Sequence, residues 1–325
     1  MFILTFTRIA GTGGYLPEKV MTNDDLAKLM DTTDEWIRER TGIKRRHVAA
    51  DGETSSDMGL AAARNAMEMA GTDLADIDLI IVATTTPDKI FPSTACIIQR
   101  RLEIHNCPAF DVQAACAGFV YALDTADRFI RTGGAQTALV IGTETLSRLV
   151  NWQDRTTAVL FGDGAGAIVL EAAAEPGLMS THIHADGKYE ELLQVPQGIS
   201  SGFNAVRMEQ AYIQMNGNAV FRKAVATLSS MARETLSDNN VDKHDIDWLV
   251  PHQANLRIIA AAARKLDLSM DKVIVTVDEH ANTSSASIPL ALDVAVRDGR
   301  VQRGNLLLFE AFGAGFTWGS ALLRY

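Results

Sequence analysis

DIDLIIV at residues 76–82 and DIDWLVP at 245–251 are one short phrase written twice, an aspartate-flanked entry into a run of buried apolar residues. Two further pairs keep the same order. ALDTADRFIRTGGAQTALVIG (122–142) answers ALDVAVRDGRVQRGNLLLFE (291–310), and FGDGAGAIVLE (161–171) answers FGAGFTWGSALLR (312–324). The first two pairs are offset by 169 residues and the third by 151. Repetition in one order implies tandem duplication of a single α/β unit. Around these pairs, apolar runs such as LIIVAT, ALVIG, AIVL, VIVTV and NLLLF predict strands buried on both faces, and the alanine-rich stretches between them predict covering helices. Two such units should pack about a pseudo-twofold axis, with a site where equivalent loops meet. The pattern breaks at AAAEPG (172–177), so the chain is expected to divide into residues 1–174 and 175–325.

The 325 residues carry 30 basic and 40 acidic side chains, a formal charge of −10, which speaks against nucleic-acid binding through net charge. With 47% hydrophobic and 22% charged residues the composition is that of a globular protein, not of a disordered chain. Three cysteines cannot all pair, and reduced thiols in the cytoplasm are the economical expectation. The opening MFILTFTRIAGTGGYLP is apolar for only four residues, so neither a signal peptide nor a membrane span is expected.

The glycine-rich stretches at Gly11–Gly14 and Gly162–Gly166 read as turns; Pro17 spoils the first as a phosphate loop, and a strand follows the second. His182 and His184 share one side of a strand, but without a further Cys/His cluster no metal site is expected.

Chemistry concentrates in three places. In DVQAACAGFVYALD (111–124) a strand runs through small residues to Cys116 at the start of a helix, where free N–H groups and the helix dipole favour a thiolate. A buried structural cysteine is the alternative that the local sequence leaves open. Cys96 and Cys107 lack that setting. In LVPHQANLRI (249–258), His252 falls at the carboxyl end of a strand, where open α/β sheets place ligands. In HANTSSASIP (280–289), Asn282 precedes a helix that repeats the one after Cys116, so that Cys116 maps onto Ser285; a plain N-cap is its bland reading. The glycine-bracketed turn of FEAFGAGFTWG (309–319) offers backbone N–H groups to an oxyanion.

ACAGF at Cys116, PHQANLRI at His252 and NTSSAS at Asn282 together resemble the beta-ketoacyl-[acyl-carrier-protein] synthase III family. The resemblance runs through DTTDEWIRERTGI (31–43), FPSTAC (91–96), RTTAVLFGDGAGA (155–167), MNGNAVF (215–221) and AFGAGFTWGSALLRY (311–325). It implies a thiolase-like fold, two pseudo-twofold-related α/β halves in a five-layered αβαβα arrangement, as a cytoplasmic homodimer. It implies decarboxylative Claisen condensation of a short acyl-CoA with malonyl-acyl-carrier-protein through an acyl-Cys116 intermediate. His252 and Asn282 would bind the developing enolate, and the backbone of Cys116 with Ala314 and Gly315 the oxyanion. CoA and phosphopantetheine would enter as substrates, with no cofactor or metal. By position, Thr32, Trp36, Arg40 and Arg155 match family residues at the adenine end of CoA. Gly217, Asn218, Phe221 and Asn255 match the pantetheine tunnel, and Phe91 an acyl pocket shared across the dimer. Arg222, Arg257, Arg264 and Lys265 form a basic stripe suited to docking the acidic carrier protein. A condensing enzyme of secondary metabolism, or a non-catalytic CoA- or carrier-binding paralogue, are the alternatives. Three features depart from relatives: Ala314 in the oxyanion turn, Ala281 before Asn282, and the variable segments 85–90 and 198–206 near the acyl entrance.

Overall fold

The computed structural model describes residues 5–202 and 211–325, so 203–206 of the variable segment lie outside the described residues. The chain begins with β1 (Phe6–Tyr15), followed by β2 (Val20–Thr22), α1 (Asn23–Ala27), α2 (Asp34–Thr41) and β3 (Arg45–His47). Next come α3 (Ser55–Ala70), β4 (Leu79–Ala83), α4 (Thr94–Arg101), β5 (Ala109–Val112), α5 (Gly118–Arg131), β6 (Thr137–Thr145) and β7 (Asp163–Ala173). Five of these strands form one sheet in the order β1-β7-β6-β4-β5. After β8 (Leu178–Ala185), β9 (Leu193–Gln194) and β10 (Gln214–Met215) come α6 (Gly217–Asp238), β11 (Trp248–Pro251) and α7 (Leu256–Lys265). The chain closes with α8 (Val277–His280), α9 (Ser287–Arg297), β12 (Leu306–Gly313) and β13 (Thr317–Arg324).

The second large sheet, β11-β12-β13-β8, repeats the first strand for strand: β4 answers β11, β6 answers β12, β7 answers β13, and β1 answers β8. Even β5 has a remnant counterpart, a single parallel bridge from Leu249 to Val273. The starts of α5 and α9, at 118 and 287, keep the offset of 169 found in the sequence.

Because successive strand residues point to opposite faces, each sheet feeds two cores. Leu79, Ile81 and Ala83 of β4 join Leu307, Phe309 and Ala311 of β12 around α5 and α9, which form the central layer. Ile80 and Val82 turn outward onto α3 and α4. Leu306 and Leu308 turn outward onto Ala232 and Leu236 of α6 and Ile259 and Ala263 of α7. Five layers result, αβαβα.

Two turn assignments from the sequence need correction. Gly11, Gly13 and Gly14 lie inside β1, and Gly164 and Gly166 inside β7. Their glycines serve close packing: a Cβ on Gly11 would stand 2.5 Å from the carbonyl oxygen of Ala66 on α3, and one on Gly166 2.6 Å from the backbone nitrogen of Leu290 on α9. Missing side chains and tight turns leave the same trace in sequence, and here the helices claimed the space.

Candidate active site

The 169-residue repeat puts two equivalent elbows at the middle of the molecule. Residues Ala115–Ala117 form a 3-10 turn leading into α5, and Ser284–Ala286 form one leading into α9. Ala115 (φ 46°) and Ser284 (φ 50°) are matching left-handed residues, a conformation that non-glycine residues hold at a cost of roughly 1–3 kcal/mol. Neither helix has a side-chain N-cap; instead each elbow takes the first N–H of its helix, Gly118 N–H donating to Ala115 O and Ser287 N–H to Ser284 O.

Cys116 sits in the first elbow as a free thiol, 8% exposed. The sequence reading expects a thiolate here, and the surroundings oppose it. Burial pushes the thiol up to about 12; a hydrogen bond from Ser284 works against that rise, and the carboxyl of Glu144 adds to it. The backbone N–H of Cys116 itself and the dipole of α5 also favour the anion.

His252 follows β11, its backbone N–H donating to the carbonyl of Glu310 at 2.7 Å. Burial holds its imidazole down at about 3, so it is neutral. Its Nδ1 meets Ser287 Oγ at 2.6 Å, and that oxygen also accepts from the backbone N–H of Gln253 at 3.3 Å. Nδ1 is the one acceptor in reach of the Ser287 proton among the described residues, so that proton points to Nδ1, which leaves Nε2 protonated as a donor. Asn282 is fixed from both sides by its backbone, donating to Leu160 O at 2.9 Å and accepting from Gly162 at 3.1 Å. Its Oδ1 accepts from the backbone N–H of Ser284 at 2.9 Å, so the amide NH₂ end is the one left to donate. This bond lies within the loop and does not cap α9. Ala281, where relatives often have glycine, adopts φ 58° and is fully buried.

Cys116, His252 and Asn282 line a single cavity of about 940 Å³. The β12–β13 turn closes it beside the thiol. A Cβ on Gly313 would stand 2.6 Å from the backbone nitrogen of Cys116, so only glycine allows this approach. Thr317 Oγ1 ties the two backbones together, donating to Ala114 O (2.8 Å) or Ala314 O (3.0 Å). Ala314 is not among the positive-φ residues, so its methyl group leaves the turn intact.

At the mouth, the guanidinium carbons of Arg40 and Arg155 lie 4.5 and 5.1 Å from the centre of the Trp36 ring. Arg155 also donates to Asp31 O at 2.9 Å. These three side chains line the cavity; Thr32 does not, and its buried hydroxyl has no partner among the described residues. Helix α2, which carries Trp36 and Arg40, ends at Gly42 (φ 79°), where a Cβ would stand 2.5 Å from that of Leu256; α2 thus lies directly on α7. Gly217, Asn218, Phe221 and Asn255 all line the cavity. Both ends of the Asn255 amide are already in use, the oxygen capping α7 at Arg257 N (2.8 Å) and the nitrogen donating to Arg40 O (3.1 Å).

Arg222, Arg257, Arg264 and Lys265 are exposed on α6 and α7, and among the described residues none of them forms an ion pair. Phe91 stands away from the cavity, 82% exposed, beside Ile90 at 59%. Elsewhere, His182 of β8 meets Glu234 and Asp238 of α6, with ligand atoms within 4.8 Å of one another, a set offering metal-ligand chemistry that spacing along one strand could not reveal. Sequence reasoning also missed Ser287 and Glu144. Glu144 had a visible signal, a carboxylate at the end of the apolar run ALVIGTET.

Family models match residues 110–187, described as 3-oxoacyl-[acyl-carrier-protein] synthase III, and residues 236–325, described as the C-terminal part of the same protein. A beta-ketoacyl-[acyl-carrier-protein] synthase III from Thioalkalivibrio sulfidiphilus is 68% identical over 322 residues, 99% of this chain and 100% of that protein. The crystal structure of 3-oxoacyl-[acyl-carrier-protein] synthase III from Aquifex aeolicus superposes with a TM-score of 0.92 at 47% identity, covering 98% and 100% of the two chains. The priming beta-ketosynthase of the R1128 polyketide pathway also reaches a TM-score of 0.92, at 38% identity, covering 98% and 96%.

Proposed function

The chain belongs to the beta-ketoacyl-[acyl-carrier-protein] synthase III family, and from that premise we propose that Cys116, His252 and Asn282 carry its reaction. It is an acyltransferase of thiolase-like fold that joins an acyl-CoA to malonyl-acyl-carrier-protein in the initiating condensation of fatty acid synthesis. The observation that carries the assignment of residues is the sharing of one cavity by the thiol, the neutral imidazole and the amide.

In the first half-reaction the sulfur of Cys116 attacks the acyl-CoA carbonyl, and the thiol proton ends on the departing CoA sulfur. The tetrahedral oxyanion takes the backbone N–H groups of Cys116 and the 313–315 turn, which are worth most in a dry site. In the second, malonyl-carrier protein loses CO₂, and the electrons of the broken C–C bond form an enolate at the thioester. Nε2–H of His252 and the NH₂ of Asn282 donate to that enolate oxygen; neither carries a negative charge to repel it. The enolate carbon attacks the acyl-cysteine, and the released sulfur takes up one proton. Both carbonyls arrive activated as thioesters, so no cofactor is needed for this chemistry.

The arginines around Trp36 suit the nucleotide end of CoA. Pantetheine would follow the Gly217–Phe221 wall, and an acyl group would end near Phe161, which lines the cavity. The exposed Phe91 and Ile90, and the edge position of β5, suit a homodimer in which Phe91 reaches a partner's acyl pocket. A cytoplasmic location fits substrates that are cytoplasmic thioesters; among the described residues no helix is long and apolar enough to cross a membrane. The likeness to the R1128 priming ketosynthase supports a second reading, the same chemistry with another acyl group in secondary metabolism.

Incubation with acetyl-CoA followed by peptide mass spectrometry tests the assignment. An acetyl adduct on Cys116 is expected; its absence from folded protein would favour the non-catalytic paralogue. The docking stripe has its own test. Arg257 also lines the cavity, so the test uses the other two helix residues: Arg264→Glu with Lys265→Glu should weaken use of carrier protein by roughly tenfold or more at low salt, while exchange of acetyl groups between CoA molecules stays near normal. Equal loss of both activities would contradict docking at these residues.

A further inference from the structure

Glu234 and Asp238, one turn apart, put two carboxylates at the end of α6, a helix with no basic residue in its last turn. Both features cost stability, since acidic groups sit badly at the negative end of a helix dipole and like charges four residues apart repel. Among the described residues neither carboxylate meets a lysine or an arginine; both meet histidine instead. His182 Nδ1, on β8, lies 3.9 Å from Glu234 Oε1 and 3.9 Å from Asp238 Oδ2. His184, two residues along the same strand, brings its Nε2 to 3.4 Å from Glu234 Oε1, and that nitrogen is buried without a hydrogen-bond partner among the described residues.

These separations are those of atoms that share an ion. An ion about 2.1 Å from nitrogen and oxygen ligands in tetrahedral geometry holds neighbouring ligand atoms about 3.4 Å apart. A hydrogen bond would draw the same atoms to about 2.9 Å. The ligand atoms of His182, Glu234 and Asp238 all lie within 4.8 Å of one another. The elements that carry them are already fastened together. Asn239 Nδ2 donates to Ser180 Oγ of β8 at 2.6 Å. Thr235 Oγ1 and Ser320 Oγ share a hydrogen bond of 2.6 Å, and Ser320 of β13 is the cross-strand neighbour of His182. Helix and sheet thus hold the ligand side chains in place before any ion arrives, which lowers the cost of binding one.

We propose that His182, Glu234 and Asp238 bind a divalent transition-metal ion, zinc by their mixture of imidazole and carboxylate, with His184 turning in as fourth ligand. The ion would neutralise both carboxylates, complement the dipole of α6 and clamp that end of the helix to the second sheet. None of the four residues lines the cavity, so the site is structural and stands apart from the condensation chemistry. The other end of α6, from Gly217 to Phe221, walls the cavity, and a clamp on Glu234 and Asp238 steadies that wall from behind.

The test takes the full-length protein, stripped with a chelator and dialysed, and titrates it with zinc chloride by calorimetry and by thermal melting. One equivalent should bind, and the melting midpoint should rise by several degrees at saturating zinc. Cobalt(II) in place of zinc should show the visible spectrum of a nitrogen- and oxygen-ligated ion, without the charge-transfer band of a cysteine-bound one. Glu234→Gln with Asp238→Asn alters exposed side chains and keeps their shape. It should weaken zinc binding about a hundredfold or more and remove the rise in midpoint. Without metal the same variant should melt no lower than wild type, because the repulsion between the carboxylates is gone. If it does not fold, His182→Gln provides the comparison. Absence of zinc binding by wild type, cobalt bound only through thiolate, or equal zinc affinity in a folded variant would each overturn the site.

Discussion

Cys116→Ser is expected to fold normally and to lose acyl transfer by at least about a thousandfold, because the hydroxyl is far more basic than a thiol and no base stands ready to ionise it. His252, which lines the same cavity, already accepts a hydrogen bond at Nδ1 from Ser287 and offers a donor, not an acceptor, to the cavity. A serine in this place therefore has donors and the dipole of α5 to help it, but no base. The measurement is single-turnover acetylation with radiolabelled acetyl-CoA, alongside thermal melting to establish the fold. Label transferred at a rate within tenfold of wild type would show that the sulfur is not the acceptor.

The second large effect concerns condensation alone. In Asn282→Asp the Oδ1 that accepts from Ser284 N is retained, so the loop keeps its anchor, but the NH₂ donor becomes a second oxygen. A carboxylate there faces the developing enolate and repels it. Condensation should fall on the order of 10²–10³-fold, the usual cost of losing one preorganised donor to an oxyanion. Acetylation of Cys116 should remain within a few fold of wild type. The two half-reactions can be timed separately, acetylation by burst and condensation by release of CO₂ from malonyl-carrier protein. A matching loss in both would place Asn282 in the first step as well.

The layered architecture was legible because apolar runs of four to six residues recur in one order, two of the three repeated pairs at the same offset, and a duplication constrains far more than any single strand. His252, Asn282 and Cys116 were legible for the related reason that each ends or begins a repeated element. The glycines of β1 and β7 misled, since a residue chosen for the closeness of a helix reads like one chosen for a turn. The state of the thiol misled differently. A helix N-terminus is visible in sequence, whereas burial and a carboxylate from β6 are products of tertiary packing. Glu144 was hidden because its hydrogen-bond donors come from segments about 60 and 140 residues away, and Ser287 because its partner His252 lies 35 residues upstream. Asn255 matched its motif but is spent on capping α7 and on Arg40, a role that the motif alone could not disclose.

The seating of Gly42 on Leu256 joins two surfaces that serve different visitors. Trp36 and Arg40, on α2, would grasp a nucleotide; Arg257 and Arg264, on the helix beneath, would greet a protein. Since both helices border one doorway, the two acyl donors would pass it in turn. Free CoA held at Trp36 would then stand in the carrier protein's way.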